Sequence, residues 1–100
     1  MVRLVFAVFA LSLVAGSAGA QTVRSACLKS EKGRGQSQLC GCIQNVADRT
    51  LTKSDQRRVA AFFTDPDRAQ RVRQSGNKSD EKFWDRYQVF GSTAEAFCRR

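Results

Sequence analysis

Histidine is missing from all 100 residues, and proline, tryptophan, tyrosine and methionine occur once each. Imidazole is the usual general base near neutral pH and the commonest metal ligand, so its absence removes every Ser–His and Cys–His nucleophile arrangement. Beyond residue 20 no apolar run approaches the ~20 residues needed to cross a bilayer. There is also no period-two alternation, internal repeat or low-complexity tract. These absences argue against an enzyme, a metal centre, a membrane-spanning domain and a sheet fold, and no cofactor is expected.

Acidic residues are scarce too, 9 Asp and Glu against 17 Lys and Arg. Residues 1–20 open with Arg3, run almost without polarity from Leu4 to Ala15, and end in Gly16-Ser17-Ala18-Gly19-Ala20. A positive start, a short apolar stretch and small residues at Ala18 and Ala20 form the grammar of a secretory signal peptide, with cleavage expected after Ala20. About a dozen apolar residues are too few for an uncleaved membrane anchor. Cleavage would remove Arg3 and none of the acids, leaving +7 on residues 21–100. That is one domain's worth of chain, expected in the periplasm or secreted, with a core that is marginal at this size and usually helped by staples.

Four cysteines, Cys27, Cys40, Cys42 and Cys98, supply the staples. An even number in an exported chain reads as two disulfides. Between them the chain reads as four or five short helices, an all-α class. Val23, Ala26 and Leu28 make a short helix at best over 22–30, and Gly33 and Gly35 break it into a solvated loop. Ser37 is expected as an N-cap for the clearest amphipathic helix, in which Leu39, Cys42, Ile43, Val46, Ala47 and Leu51 recur at three- and four-residue steps. Ser54-Asp55-Gln56 is expected to cap a third helix carrying Val59, Ala60, Phe62 and Phe63. Asp65-Pro66 ends that helix and starts a charged one running to Gln74. Ser79-Asp80-Glu81 is expected to cap a last helix with an aromatic face of Phe83, Trp84, Tyr87 and Phe90. Gly91 is expected to end it in the left-handed conformation, with one more turn from Thr93 to Cys98. In a chain with few Leu and Ile these aromatics are core material, each able to bury roughly 150–250 Å².

Cys40-Gly41-Cys42 allows three readings. Two thiols one residue apart at a helix start can form an oxidising disulfide, since the helix dipole stabilises the leaving thiolate. As staples, an antiparallel hairpin of 22–30 and 37–51 sets Cys27 beside Cys40 and leaves Cys42 for Cys98. The alternative of Cys27 with Cys42 and Cys40 with Cys98 stays open, and Cys-based metal binding is a third reading. The carboxylate pairs Asp65/Asp67 and Asp80/Glu81 fall at expected helix starts, where capping explains them better than glycoside hydrolysis does.

Arg57, Arg58, Arg68, Arg71 and Arg73 gather in the two central helices. A guanidinium fork holds phosphate or carboxylate at two points, so these are the candidate anion-binding residues. Outside the cytoplasm the partner expected is an anionic envelope component or an acidic protein, with nucleic acid disfavoured. A bland alternative is a solvated surface whose arginines meet local carboxylates.

Ala26-Cys27-Leu28, Leu39-Cys40-Gly41-Cys42-Ile43-Gln44, Ser54 to Arg58, Phe62-Phe63 with Asp65-Pro66, and Phe83-Trp84 with Arg86-Tyr87 together form a pattern that continues through Phe90-Gly91 and Thr93 to Cys98. Over nearly the whole of residues 21–100 it resembles a group of short exported alphaproteobacterial proteins often labelled "arginine transporter". The resemblance implies a periplasmic location, the four-cysteine framework and an accessory role in amino-acid transport.

Overall fold

The computed structural model describes residues 21–98; the signal-peptide expectation falls on residues 1–20, outside the described residues. Five helices follow one another, α1 (Thr22–Lys29), α2 (Ser37–Thr50), α3 (Lys53–Thr64), α4 (Pro66–Gln74) and α5 (Lys78–Phe97), with no strand among the described residues. This is the stapled all-α bundle that the periodicity predicts. α1 packs against α2 and α3, α2 against α5, and α4 bridges α3 and α5. None of the described helices is long and apolar enough to cross a membrane.

Val23, Val46, Ala47, Leu51, Val59, Phe62, Phe83, Phe90 and Cys98 form one buried cluster. Aliphatics from α1 and α2 meet the rings of α3 and α5, the largest apolar groups in the cluster. Phe62 sets its edge against Phe83 (5.9 Å, 76°) and Tyr87 (5.3 Å, 90°), the T-shaped geometry the ring quadrupole favours. Trp84 is half-buried against Tyr87, with 4.9 Å between ring centroids. α1 is short but integral, since Val23 and Cys27 are fully buried.

One polar cluster lies inside this bundle. Gln44 is buried, its Oε1 accepting from Arg24 N–H while its Nε2 donates to Asp48 Oδ1 and Gln56 Oε1, each at 2.9 Å. Gln56 Nε2 donates to the same Asp48 oxygen at 3.2 Å, so α1, α2 and α3 are locked in register by satisfied amides. A period count of apolar residues passes over both glutamines.

Several helix ends differ from the sequence reading. Gln36 rather than Ser37 occupies the cap of α2; Ser37 Oγ instead accepts from Arg24 Nη2 at 3.1 Å. Thr52, two residues before Ser54, caps α3 by accepting from Asp55 N–H at 3.1 Å. Asn77 caps α5 by accepting from Ser79 N–H at 2.8 Å, which leaves Ser79 inside the helix. Asp65 stands at the cap of α4, but its carboxylate makes no cap hydrogen bond.

Gly91 does not end α5. The helix runs through it, and the only positive-φ glycine among the described residues is Gly35, at 72° in the loop before α2. Packing explains the difference: Phe90 is buried, Ala94 packs on the core, and Cys98 is tied to Cys42. Ser92 and Thr93 hydroxyls donate back to the Gln88 and Val89 carbonyls, at 2.9 and 2.7 Å.

Candidate functional site

The antiparallel α1–α2 hairpin joins Cys27 to Cys40, and the end of α5 returns to join Cys98 to Cys42, each pair with 5.6 Å between Cα atoms. Cys40 and Cys42 therefore belong to different bonds. No free thiol remains among the described residues, and Cys40 is fully buried. Thiol exchange through Cys40-Gly41-Cys42 would require both staples to open first. No group of three or more Cys, Asp and Glu among the described residues is placed to hold a metal ion.

The five candidate arginines divide by what they touch. Arg58 on α3 donates from Nη2 to Asp80 Oδ1 at 2.8 Å and lays its guanidinium 4.1 Å from the Phe83 ring centroid. It thus clips α3 to α5 by a charged hydrogen bond and a cation–π contact. The same bond, with help from the Ser75 side chain, holds the Asp80 carboxyl below the usual aspartate range. Arg68 and Arg71 on α4 flank Asp65 at 3.6 and 3.2 Å and remain exposed. Arg57 and Arg73 are exposed and form no ion pair among the described residues.

Arg58, Arg68 and Arg71 come together with Ala61, Phe62 and Val72 around an open groove of about 360 Å³ between α3 and α4. Arg57 and Arg73 lie outside its lining. The helical step puts Arg68 and Arg71 three residues apart on one face of α4, and the Asp65-Pro66 corner turns that face towards α3. Three guanidinium groups against the carboxylates of Asp65 and Asp80 leave the groove positive, with an apolar floor. Such a groove can take a phosphate or carboxylate on Arg68 and Arg71 if Asp65 yields part of its contact.

Asp65 and Asp80 are both engaged by arginine, while Asp67 and Glu81 are exposed in the first turns of α4 and α5. The carboxylate pairs thus stand as salt-bridge partners and helix-start charges.

Two features were not legible as sites in the sequence. Asp55, expected within the cap of α3, is buried and takes both Arg86 Nε (2.7 Å) and Nη2 (3.0 Å), joining a buried carboxylate to an exposed guanidinium 31 residues away. A second and larger groove, about 550 Å³, lies between the α1–α2 loop and the α3–α4 corner and has Lys29, Lys32 and Arg34 in its lining. The available signal was their clustering within six residues, opposed only by Glu31.

Compared with protein-family models, curated proteins and solved structures, the chain finds no match in any of the three.

Proposed function

We propose that this chain is a non-enzymatic, exported binding protein, cleaved after Ala20, whose partner is an anionic envelope component or an acidic protein. Two disulfides fit an oxidising compartment outside the cytoplasm. The observation that carries the reading is the convergence of Arg58, Arg68 and Arg71 on one groove with an apolar floor. Arg58 is committed to Asp80 and Phe83, so it shapes the groove, whereas Arg68 and Arg71 are exposed and available to a ligand. Arg57 and Arg73 extend the positive field along the same two helices.

The test uses residues 21–100 with vesicles of anionic phospholipid and, separately, polyglutamate. Charge reversal by Arg68→Glu with Arg71→Glu is expected to weaken binding about tenfold near physiological salt and to flatten its salt dependence. Binding that survives both the double reversal and high salt would overturn the reading.

A further inference from the structure

Residues 30–36 join α1 to α2 in a fixed shape. Ser30 Oγ donates to the Cys27 carbonyl at 2.6 Å and accepts from Gly33 N–H at 3.1 Å. Arg34 N–H and Gln36 N–H close further turns onto the Ser30 and Gly33 carbonyls. Gly33 is buried, and a Cβ there would collide with the carbonyl oxygen of Cys27, so only glycine fits beneath the loop. The Cys27–Cys40 bond ties the helix ends on either side. A connector held this way can offer its side chains to a partner with little further loss of backbone freedom.

What it offers is charge beside aromatic surface. Lys29, Lys32 and Arg34, with Glu31 as the lone carboxylate, rim the groove of about 550 Å³ whose remaining lining includes Phe62 and Phe63. None of the three cations forms an ion pair among the described residues. The same two phenylalanines also line a narrower cleft of about 170 Å³ with Tyr87 and Phe90. An apolar cavity of about 150 Å³ accepts a benzene ring, so this cleft has room for one ring-sized group.

We propose that the groove is a docking site for an acidic peptide segment of a partner protein, its carboxylates on Lys29, Lys32 and Arg34 and one aromatic side chain against Phe62 and Phe63. The assignment rests on the partner being an acidic protein and adds a second contact, separate from the Arg58–Arg68–Arg71 groove. A phospholipid shares the anionic chemistry, and anionic vesicles are therefore the competing arm of the test.

The experiment is fluorescence anisotropy of residues 21–100 with a labelled Asp/Glu-rich peptide carrying one central Phe, at about 0.15 M salt, where charges more than ~8 Å apart are largely screened. Lys32→Glu with Arg34→Glu is expected to weaken binding at least tenfold, with the helix content unchanged by circular dichroism. Replacing the peptide's Phe with Ala is expected to weaken it about fivefold, and Arg68→Glu with Arg71→Glu by less than threefold, because the ring seats this peptide beside Phe62 and Phe63. Polyglutamate, with no ring, reports instead on the Arg68–Arg71 groove. Both double variants change the net charge equally, so the difference between them reports location.

Equal binding by the Lys32/Arg34 variant, or by the Phe-free peptide, would overturn the proposal, as would a peptide that fails to bind at millimolar concentration while anionic vesicles do. Binding lost only in the Arg68/Arg71 variant would sink this site and leave the acidic-partner reading standing. Failure of peptide, polyglutamate and vesicles alike would sink both.

Discussion

Asp55 and Arg86 show what one residue contributes to this bundle. Asp55 is only 4% exposed, yet it carries a charge, because Arg86 reaches it with two hydrogen bonds and Thr52 caps the same turn. The Arg86 hydrogen bonds hold its carboxyl below the ordinary aspartate value and outweigh the opposing effect of burial. In return, Asp55 raises the guanidinium further above its already high value. A carboxyl with a depressed folded-state pKa contributes stability that is fully present above its unfolded value, about 3.9, and is lost as pH falls through the folded value. Arg86→Ala leaves Asp55 buried with one strong partner fewer, and should cost about 1–3 kcal/mol by urea unfolding at neutral pH. The parent should lose stability below about pH 4 more steeply than the variant does. Identical acid dependence in the two proteins would show that the pair does not couple folding to pH.

α5 shows where element-level reasoning succeeds and where it stops. Its aromatic face was legible because Phe83, Tyr87 and Phe90 recur at helical spacing, and the start of α4 was legible from Asp65-Pro66. Cap identities were less legible: Ser, Thr, Asn and Asp crowd most helix starts, and competing side-chain contacts choose among them. Arg24 takes the Ser37 hydroxyl, and Arg68 and Arg71 take the Asp65 carboxylate. The site was legible in part for the same reason. A run of arginines is visible in sequence, but that Arg58 is committed to Asp80, 22 residues away, depends on how α3 meets α5. Gly91 carries the consequence for stability. It lies in the helix interior, and a Cβ there would meet nothing within 4 Å. Gly91→Ala is therefore expected to stabilise the protein by about 0.5–1 kcal/mol, seen as a rise of several degrees in Tm. A fall in Tm would mean that the chain uses the freedom of glycine there and that α5 is not continuous in solution.

At the scale of the whole molecule the two disulfides are unequal. Cys27–Cys40 spans 13 residues and Cys42–Cys98 spans 56, so the chain-entropy account assigns them about 3 and about 4 kcal/mol. Both values are large beside the ~5–15 kcal/mol that holds a typical domain folded. The bond with the larger contribution is also the more accessible. Cys27 and Cys40 are 2% and 0% exposed beneath the basic loop, whereas Cys42 is only half-buried. Cys42 lines a shallow pocket of about 180 Å³ beside Phe97, which is 76% exposed. Thiolate attack needs a path to sulfur, so mild reductant should open Cys42–Cys98 first. Alkylation followed by peptide mapping should then find label on Cys42 and Cys98 before Cys27 and Cys40. The intermediate should release the end of α5 while keeping the hairpin and its loop, so it should still bind the acidic peptide. Early label on Cys27 and Cys40 would instead place the weak point in the hairpin, and a bond between Cys40 and Cys42 would make thiol exchange the chemistry to pursue.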